Sequence, residues 1–356
     1  MCQVTKSEVT RTRTTNVLQS TSKPKKRHEE SVAPSLLIPI WAFVTILSMF
    51  LAAYIPRLQS QAGRDTFLHA GYNYDEINTY FDNTFLTYGT DYMITVCMLY
   101  AAYKCLIATS IGNENGSELK SDSSGSIDLR MSSSMLFLSY GISVLAGGIA
   151  HQFYVTLEDL NSVPFRILWT LCVGCVTAAG GFMGACGSAI YFRLNETTSQ
   201  EMVRFRMVYI PYSYWIFYGG CMTVWCILGG ISYKRPACDI FVAGTTQFVP
   251  TVYVVMTVLS VKWSSPSKFT PCPIGNQSEV RNLVKKGFRL SCIIGFFLNA
   301  PLLPMYPLMV QYTSLSLGVV NALLHLNLTF AWGLQALSMH HFCKSFNLTT
   351  ENDKKK

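Results

Sequence analysis

Two histidines lie inside long apolar segments, His151 in SYGISVLAGGIAHQFY and His325 in GVVNALLHLNLTFAW. Ionisable groups are costly to bury in a bilayer, so they mark candidate functional sites by default. Asp91 opens a third apolar segment, and Asn321 precedes His325 by one helical turn. A carboxylate, two imidazoles and an amide can together bind a divalent metal, and zinc with an open coordination position activates water for hydrolysis. We therefore predict a shared polar pocket in which His151, His325 and Asn321 bind a metal and Asp91 is the catalytic residue.

The elements that must position these residues are membrane-spanning helices. Half of the 356 residues are apolar and only 13% are charged, a balance that excludes an ordinary water-soluble domain. A hydrocarbon core about 30 Å thick requires roughly 20 apolar residues per helix. The sequence then predicts an all-α polytopic bundle with about eight spans, at residues 35–55, 88–109, 133–155, 166–192, 208–231, 240–262, 288–306 and 315–341.

The orientation of the bundle follows from its lysines and arginines, which accumulate in cytoplasmic loops. With both termini cytoplasmic, 23 of the 28 basic residues fall on the cytoplasmic side, and the five outside are Arg57, Arg64, Arg166, Lys234 and Arg235. The formal net charge of +8 is then explained by topology, and it does not indicate nucleic-acid binding. At about 1.5 Å per residue, Asp91, His151 and Asn321 should lie roughly 5–10 Å below the outer boundary, with His325 one turn deeper.

The chain divides into a transmembrane domain, residues 34–344, and two polar ends. Residues 1–33 contain KPKKRH and predict a disordered basic cytoplasmic tail; such a tail can contact anionic lipid, but we favour a simple positive-inside anchor. Residues 345–356 are a polar C-terminal tail. Membrane lipids are the expected partners. The chain is an integral multi-pass protein of either the plasma membrane or an internal membrane, since nothing in the sequence separates the two.

Other patterns within the spans predict packing. Gly180, Gly181, Gly184 and Gly187 place small residues at helical spacing, which lets helices approach closely in lipid. The aromatic run YIPYSYWIFY at 209–218 predicts an interfacial belt. An acidic stretch that includes Asp75, Glu76 and Asp82 is interpreted as a solvated loop in preference to a calcium site.

The layout of the polar residues resembles the alkaline ceramidase and progestin/adipoQ receptor superfamily. NALLHLNLTFAWGLQAL is similar to the last helix of that family, and GYNYDEINTYFDNTFLTYGTDY is similar to the segment that leads into its helical core. The resemblance covers residues 70–343 and implies a seven-helix core preceded by one additional span. It further implies a zinc ion held by histidines and, in the members that are enzymes, hydrolysis of amide bonds in lipids.

The chain departs from that family at two chemical positions. The family's His-x3-His in the last helix is Asn321-x3-His325 here, and its Ser-x3-His is Gly147-x3-His151, with Ser143 displaced by a turn. His340 and His341 cannot substitute, because they lie some 15 residues beyond His325, on the order of 22 Å along the helix.

Three functions therefore stay open. The first is a divergent zinc-dependent hydrolase of lipid amides, in which Asp91 completes the metal shell or acts as the base. The second is a receptor-like or structural member of the same fold without catalysis, which the loss of the second histidine favours. The third, a proton-coupled transporter using Asp91 and the histidines, ranks last because the two halves of the chain show no repeat.

Overall fold

The computed structural model describes residues 81–108, 124–197, 207–232, 240–260, 277–299 and 313–352, with single positions at 43, 46, 205 and 309. The predicted basic tail and almost all of the predicted first span lie outside the described residues. Every regular element in the described residues is helical, as predicted. The helices are α1 Phe85–Leu106, α2 Ser124–Phe153, α3 Leu157–Leu160, α4 Val163–Thr197, α5 Tyr212–Ser232, α6 Ile240–Leu259, α7 Gln277–Phe297 and α8 Leu317–Asn352.

The seven long helices overlap the predicted second to eighth spans, but α7 begins at Gln277 and ends at Phe297, whereas the span predicted there is 288–306. Three of them contain segments long and apolar enough to cross a membrane, at Leu129–Phe153, Val163–Phe192 and Leu317–Lys344. The last helix continues to Asn352, so most of the polar C-terminal segment is helical. The protein is therefore a helical bundle with the composition of a membrane protein.

Six helices pack as a closed ring in the order α1, α2, α4, α6, α7, α8, and α8 returns to α1. The fifth helix, α5, packs mainly on α4. Because successive helices alternate in direction, the beginnings of α1 and α8 and the end of α2 meet at one end of the ring. These are the segments that carry Asp91, His325 and His151.

A buried hydrogen-bond network joins the ring helices at mid-depth. Gln247 of α6 accepts hydrogen bonds from the Tyr140 hydroxyl and the Asn299 side-chain amide, both at 3.1 Å, and its own amide donates to the Val176 carbonyl at 2.7 Å. The Trp332 indole donates to Asn299 at 3.2 Å. The network joins α2, α4, α6, α8 and the turn that follows α7. The side-chain amides of Gln247 and Asn299 therefore have hydrogen-bond partners on neighbouring helices.

Pro250 lies inside α6. Proline cannot donate to the carbonyl four residues earlier, that of Thr246. The Tyr218 hydroxyl of α5 donates to this carbonyl at 3.0 Å. A neighbouring helix thus satisfies the freed backbone group, which is how membrane helices tolerate proline.

The predicted close approach of glycines is confirmed between α4 and α5. A Cβ atom on Gly181 would lie 2.8 Å from the Gly219 Cα, and one on Gly184 would overlap the Trp215 ring. The predicted interfacial belt at 209–218 is wrong for three of its residues, because Tyr214, Trp215 and Tyr218 are buried. They form one apolar cluster with α4 and α6, since the glycines of α4 leave room for their rings.

Candidate functional site

The centre of the candidate site is a contact between α1 and α8. His325 Nε2 lies 3.3 Å from Asp91 Oδ1, and the Asp91 side chain is 5% exposed. These two residues are 234 positions apart in the chain, and the sequence predicted that they share a pocket. The structure brings them together.

Thr90 fixes the other edge of the His325 ring. Its hydroxyl lies 2.6 Å from His325 Nδ1 and also within hydrogen-bond distance of the Leu86 and Thr87 carbonyls. Because a hydroxyl has one hydrogen and two lone pairs, Thr90 can donate to either a carbonyl or the imidazole. Both ring nitrogens of His325 therefore contact α1, one through Thr90 and one through Asp91.

His151 is held at the end of α2 by the segment before α1. Its Nδ1 lies 2.7 Å from the Asp82 carbonyl oxygen, which accepts a hydrogen bond from the Nδ1–H tautomer. The ring stacks on Phe81, with centroids 4.3 Å apart. A histidine anchored through Nδ1 to a carbonyl presents Nε2 as its available lone pair, as metal-binding histidines do.

Asp82 is the site residue that sequence reasoning missed, since it was interpreted only as part of an acidic loop. Its carboxylate accepts hydrogen bonds from the hydroxyls of Thr84, at 2.9 Å, and Thr87. A Cβ atom on Gly318, in the first turn of α8, would overlap the Thr84 hydroxyl and lie 3.3 Å from Asp82 Oδ2. Asp82 therefore organises the start of α1 beside the first turn of α8. In the sequence, Asp82 could have been recognised from its spacing to Thr84 and Thr87, whose hydroxyls it binds.

Asn321 is buried on α8, 8% exposed, one turn before His325. Within the described residues its side chain makes no hydrogen bond to Asp91 or to either histidine. The structure thus places it beside the predicted pocket without joining it to the other predicted ligands.

The Asp91 carboxylate has an oxygen without a donor. Asp91 Oδ2 is buried and accepts no hydrogen bond from the described residues. The position that a Cβ on Gly147 would occupy lies 3.9 Å from this oxygen and 3.6 Å from Cys172 Sγ. Because Gly147 has no side chain, a small space is left beside an oxygen that lacks a donor.

These residues meet part of the geometric requirement for a metal. Tetrahedral zinc with bonds of about 2.0–2.1 Å places neighbouring nitrogen and oxygen ligands about 3.4 Å apart. The 3.3 Å between His325 Nε2 and Asp91 Oδ1 agrees with that ligand spacing, and it is longer than the 2.7–2.9 Å typical of a charge-assisted hydrogen bond. Across the described residues, no three His, Cys, Asp or Glu side chains come together closely enough to hold a metal ion. Asp91 and His325 therefore lie at a spacing that suits two ligands of one zinc ion, but no third ligand joins them in the described residues.

Comparison with known proteins finds no matching family model, no matching curated protein and no matching solved structure. The resemblance to the ceramidase and adipoQ receptor superfamily therefore stays a prediction. What the fold and site define is an all-helical protein with three helices suited to a membrane and a buried Asp–His pair near one end of its ring.

Proposed function

We propose that this chain is a multi-pass integral membrane protein with about eight spans, both termini cytoplasmic and the Asp91–His325 site in the outer half of the bilayer. Three helices with segments of membrane-spanning length support this topology, as does the distribution of lysine and arginine. Many large apolar side chains are exposed along the same helices, such as Val96 of α1 and Phe330 of α8, which are 68% and 59% exposed. Contact with lipid explains this exposure, because large apolar side chains are unfavourable in contact with water.

The site of this protein binds a divalent metal, for which zinc is our choice. The observation that carries this proposal is the 3.3 Å separation of Asp91 Oδ1 and His325 Nε2, which suits two ligands of one ion. His151 would be the third ligand, through Nε2, because its Nδ1 is bonded to the Asp82 carbonyl. Thr90 and the Asp82 carbonyl hold the two imidazoles from behind, and such supporting contacts orient metal ligands in proteins.

The reaction that suits such a site is hydrolysis of an amide bond in a lipid, as the family resemblance implies. Zinc with an open position supplies a water molecule that is deprotonated near neutral pH. Asp91 Oδ2, which has no donor among the described residues, accepts a proton or a hydrogen bond from a group in the space beside Gly147. The substrate approaches from the bilayer, since the outer surface of α8 is apolar.

A second candidate is a receptor-like protein without catalysis or a proton relay that needs no metal. One observation favours it: both nitrogens of His325 already contact protein groups, which links Thr90, His325 and Asp91 in a single chain. Chains of this kind carry protons in membrane transporters. In this case Asp91 and His325 bind a ligand or exchange a proton directly.

Metal analysis of the purified full-length protein separates the candidates. We expect about one zinc per chain in the wild type and a loss of at least tenfold in Asp91→Ala, His151→Ala and His325→Ala. His341→Ala is the matched control, because His341 is also on α8 but stacks on Phe288 at the far end of the helix. Zinc that persists in Asp91→Ala and His325→Ala, or a folded wild type that takes up none, would favour the metal-free candidate. Hydrolysis of lipid amides by the zinc-loaded protein is then the test of the reaction.

A further inference from the structure

The outer surfaces of α1 and α8 each carry an apolar stripe that ends at a lysine. The residues are spaced by four on α1 and by seven on α8, and the two stripes are Val96, Tyr100 and Lys104, and Phe330, Leu337 and Lys344. Residues four or seven positions apart lie on one face of a helix. The four apolar side chains are each at least half exposed, and both lysines are half-buried. We call these the α1 stripe and the α8 stripe.

The two stripes end at the same level of the bundle. α1 and α8 are in contact near one end through Asp91 and His325. They are in contact again 13 residues further along α1 and 15 further along α8, where His340 Nδ1 lies 3.1 Å from the Lys104 carbonyl oxygen. The two helices therefore run in the same direction, side by side. Lys344 follows His340 by one helical turn, so the lysine of each stripe lies at this second contact.

This end of the bundle is rich in positive charge. Lys104 Nζ lies 5.3 Å from the centroid of the exposed Tyr100 ring, a cation–π contact that keeps the ammonium beside the apolar stripe. Arg130 of α2 adds a third cation, since its Nη1 donates to the Ala108 carbonyl just beyond α1 at 3.3 Å. The acidic side chains that the structure describes all lie at the other end, and they are Asp82, Asp91, Glu158 and Asp159. No described carboxylate therefore neutralises these cations.

We propose that the α1 and α8 stripes bind one anionic phospholipid, whose headgroup contacts Lys104 and Lys344 and whose acyl chains lie along the apolar residues. Basic surfaces between membrane helices recognise anionic headgroups. A phospholipid of this kind joins negative charge to hydrocarbon, and the two stripes present the complement of both. A soluble anion lacks the hydrocarbon, and a zwitterionic lipid lacks the net charge. The inference rests on the membrane assignment in the proposed function, but it uses no residue of the Asp91–His325 site.

The test is a lipid titration of the detergent-purified full-length protein, read by native mass spectrometry. Phosphatidylserine is compared with phosphatidylcholine that carries the same acyl chains. We expect the wild type to bind the first phosphatidylserine at least tenfold more tightly than phosphatidylcholine. A basic residue at an anionic lipid surface contributes roughly fivefold to affinity. Lys104→Gln and Lys344→Gln should therefore each weaken phosphatidylserine binding about fivefold, and the double variant about 25-fold, with phosphatidylcholine binding unchanged.

Three controls make the result specific to these two lysines. Lys104→Arg and Lys344→Arg keep the charge and should keep the preference for phosphatidylserine. Arg166→Gln removes one positive charge near the start of α4, at the opposite end of the bundle, and should bind phosphatidylserine like the wild type. Glycerophosphoserine, which has the headgroup without acyl chains, should not displace the lipid.

Several outcomes would overturn the assignment. These are equal affinity of the wild type for the two lipids, an equal loss in Arg166→Gln, unchanged binding in the double variant, and displacement by glycerophosphoserine. Failure of the membrane assignment has a different result: the protein would remain in solution without detergent and would bind neither lipid.

Discussion

The Asp91–His325 contact predicts a measurable coupling between two helices. We consider Asp91→Ala, His325→Ala and the double variant, each compared with the wild type in a double-mutant cycle. Interhelical polar contacts in membranes contribute about 0.6 kcal/mol on average and at most about 1.7 kcal/mol. Asp91 is nearly fully buried and His325 has a second contact to the same helix through Thr90. We therefore expect a coupling in the upper half of that range, about 1–1.7 kcal/mol.

The assay measures unfolding of the purified protein by sodium dodecyl sulfate, monitored through the circular dichroism of its helices. The first set of measurements contains a metal chelator. The stabilities of the two single variants should sum to a larger loss than that of the double variant, because the contact can be lost only once. A coupling below about 0.3 kcal/mol would refute a direct Asp91–His325 interaction, since independent sites add within roughly that error.

Repeating the cycle with zinc tests the metal separately. A ligand at 100 times its dissociation constant stabilises the folded state by about 2.7 kcal/mol. The wild type should gain a stabilisation of that order, and neither single variant should. Coupling without a zinc effect would support the metal-free candidate, so the contact and the metal are judged by different measurements.

Two further predictions concern packing and pH. Gly184→Ala should destabilise the bundle by about 1–3 kcal/mol, because the new methyl group would overlap the buried Trp215 ring. The control is Gly220→Ala, which has open space around it and should be neutral or stabilising in the same unfolding assay. Equal stabilities of the two variants would contradict the close packing of α4 on α5. The pKa of Asp159 is lowered by hydrogen bonds from the backbone N–H and the hydroxyl of Thr156, so its capping of α3 should be present at neutral pH and be lost as pH falls below the ordinary value of 3.8. The protection of the α3 amides, measured as the exchange rate relative to the intrinsic rate at the same pH, should therefore fall in acid in the wild type, and Asp159→Asn should abolish that pH dependence.

Much of the architecture could be predicted from local sequence. Apolar runs of membrane length gave seven of the helices, because the length and hydropathy of a segment are properties of the segment itself. The placement of Asp91, His151 and His325 near the same end of the bundle also followed, since the rise per residue of a helix is constant. The glycines of α4 predicted that another helix packs closely against α4, because only small residues allow such close packing. In the structure that helix is α5.

The rotation of each helix about its own axis was decided only by the tertiary structure. It turned Trp215 of the supposed interfacial belt into the bundle, and it joined His151 to the Asp82 carbonyl, a group that no side-chain pattern reveals. It also left Asn321 beside the Asp91–His325 pair without a bond to it. The physical reason is that periodicity assigns residues to a face of a helix, whereas the neighbour of that face is chosen by packing between segments distant in the chain, 69 residues apart for Asp82 and His151 and 234 for Asp91 and His325. The sequence by itself determined which polar groups lie near one end of the helical bundle; the tertiary structure decided which of them touch.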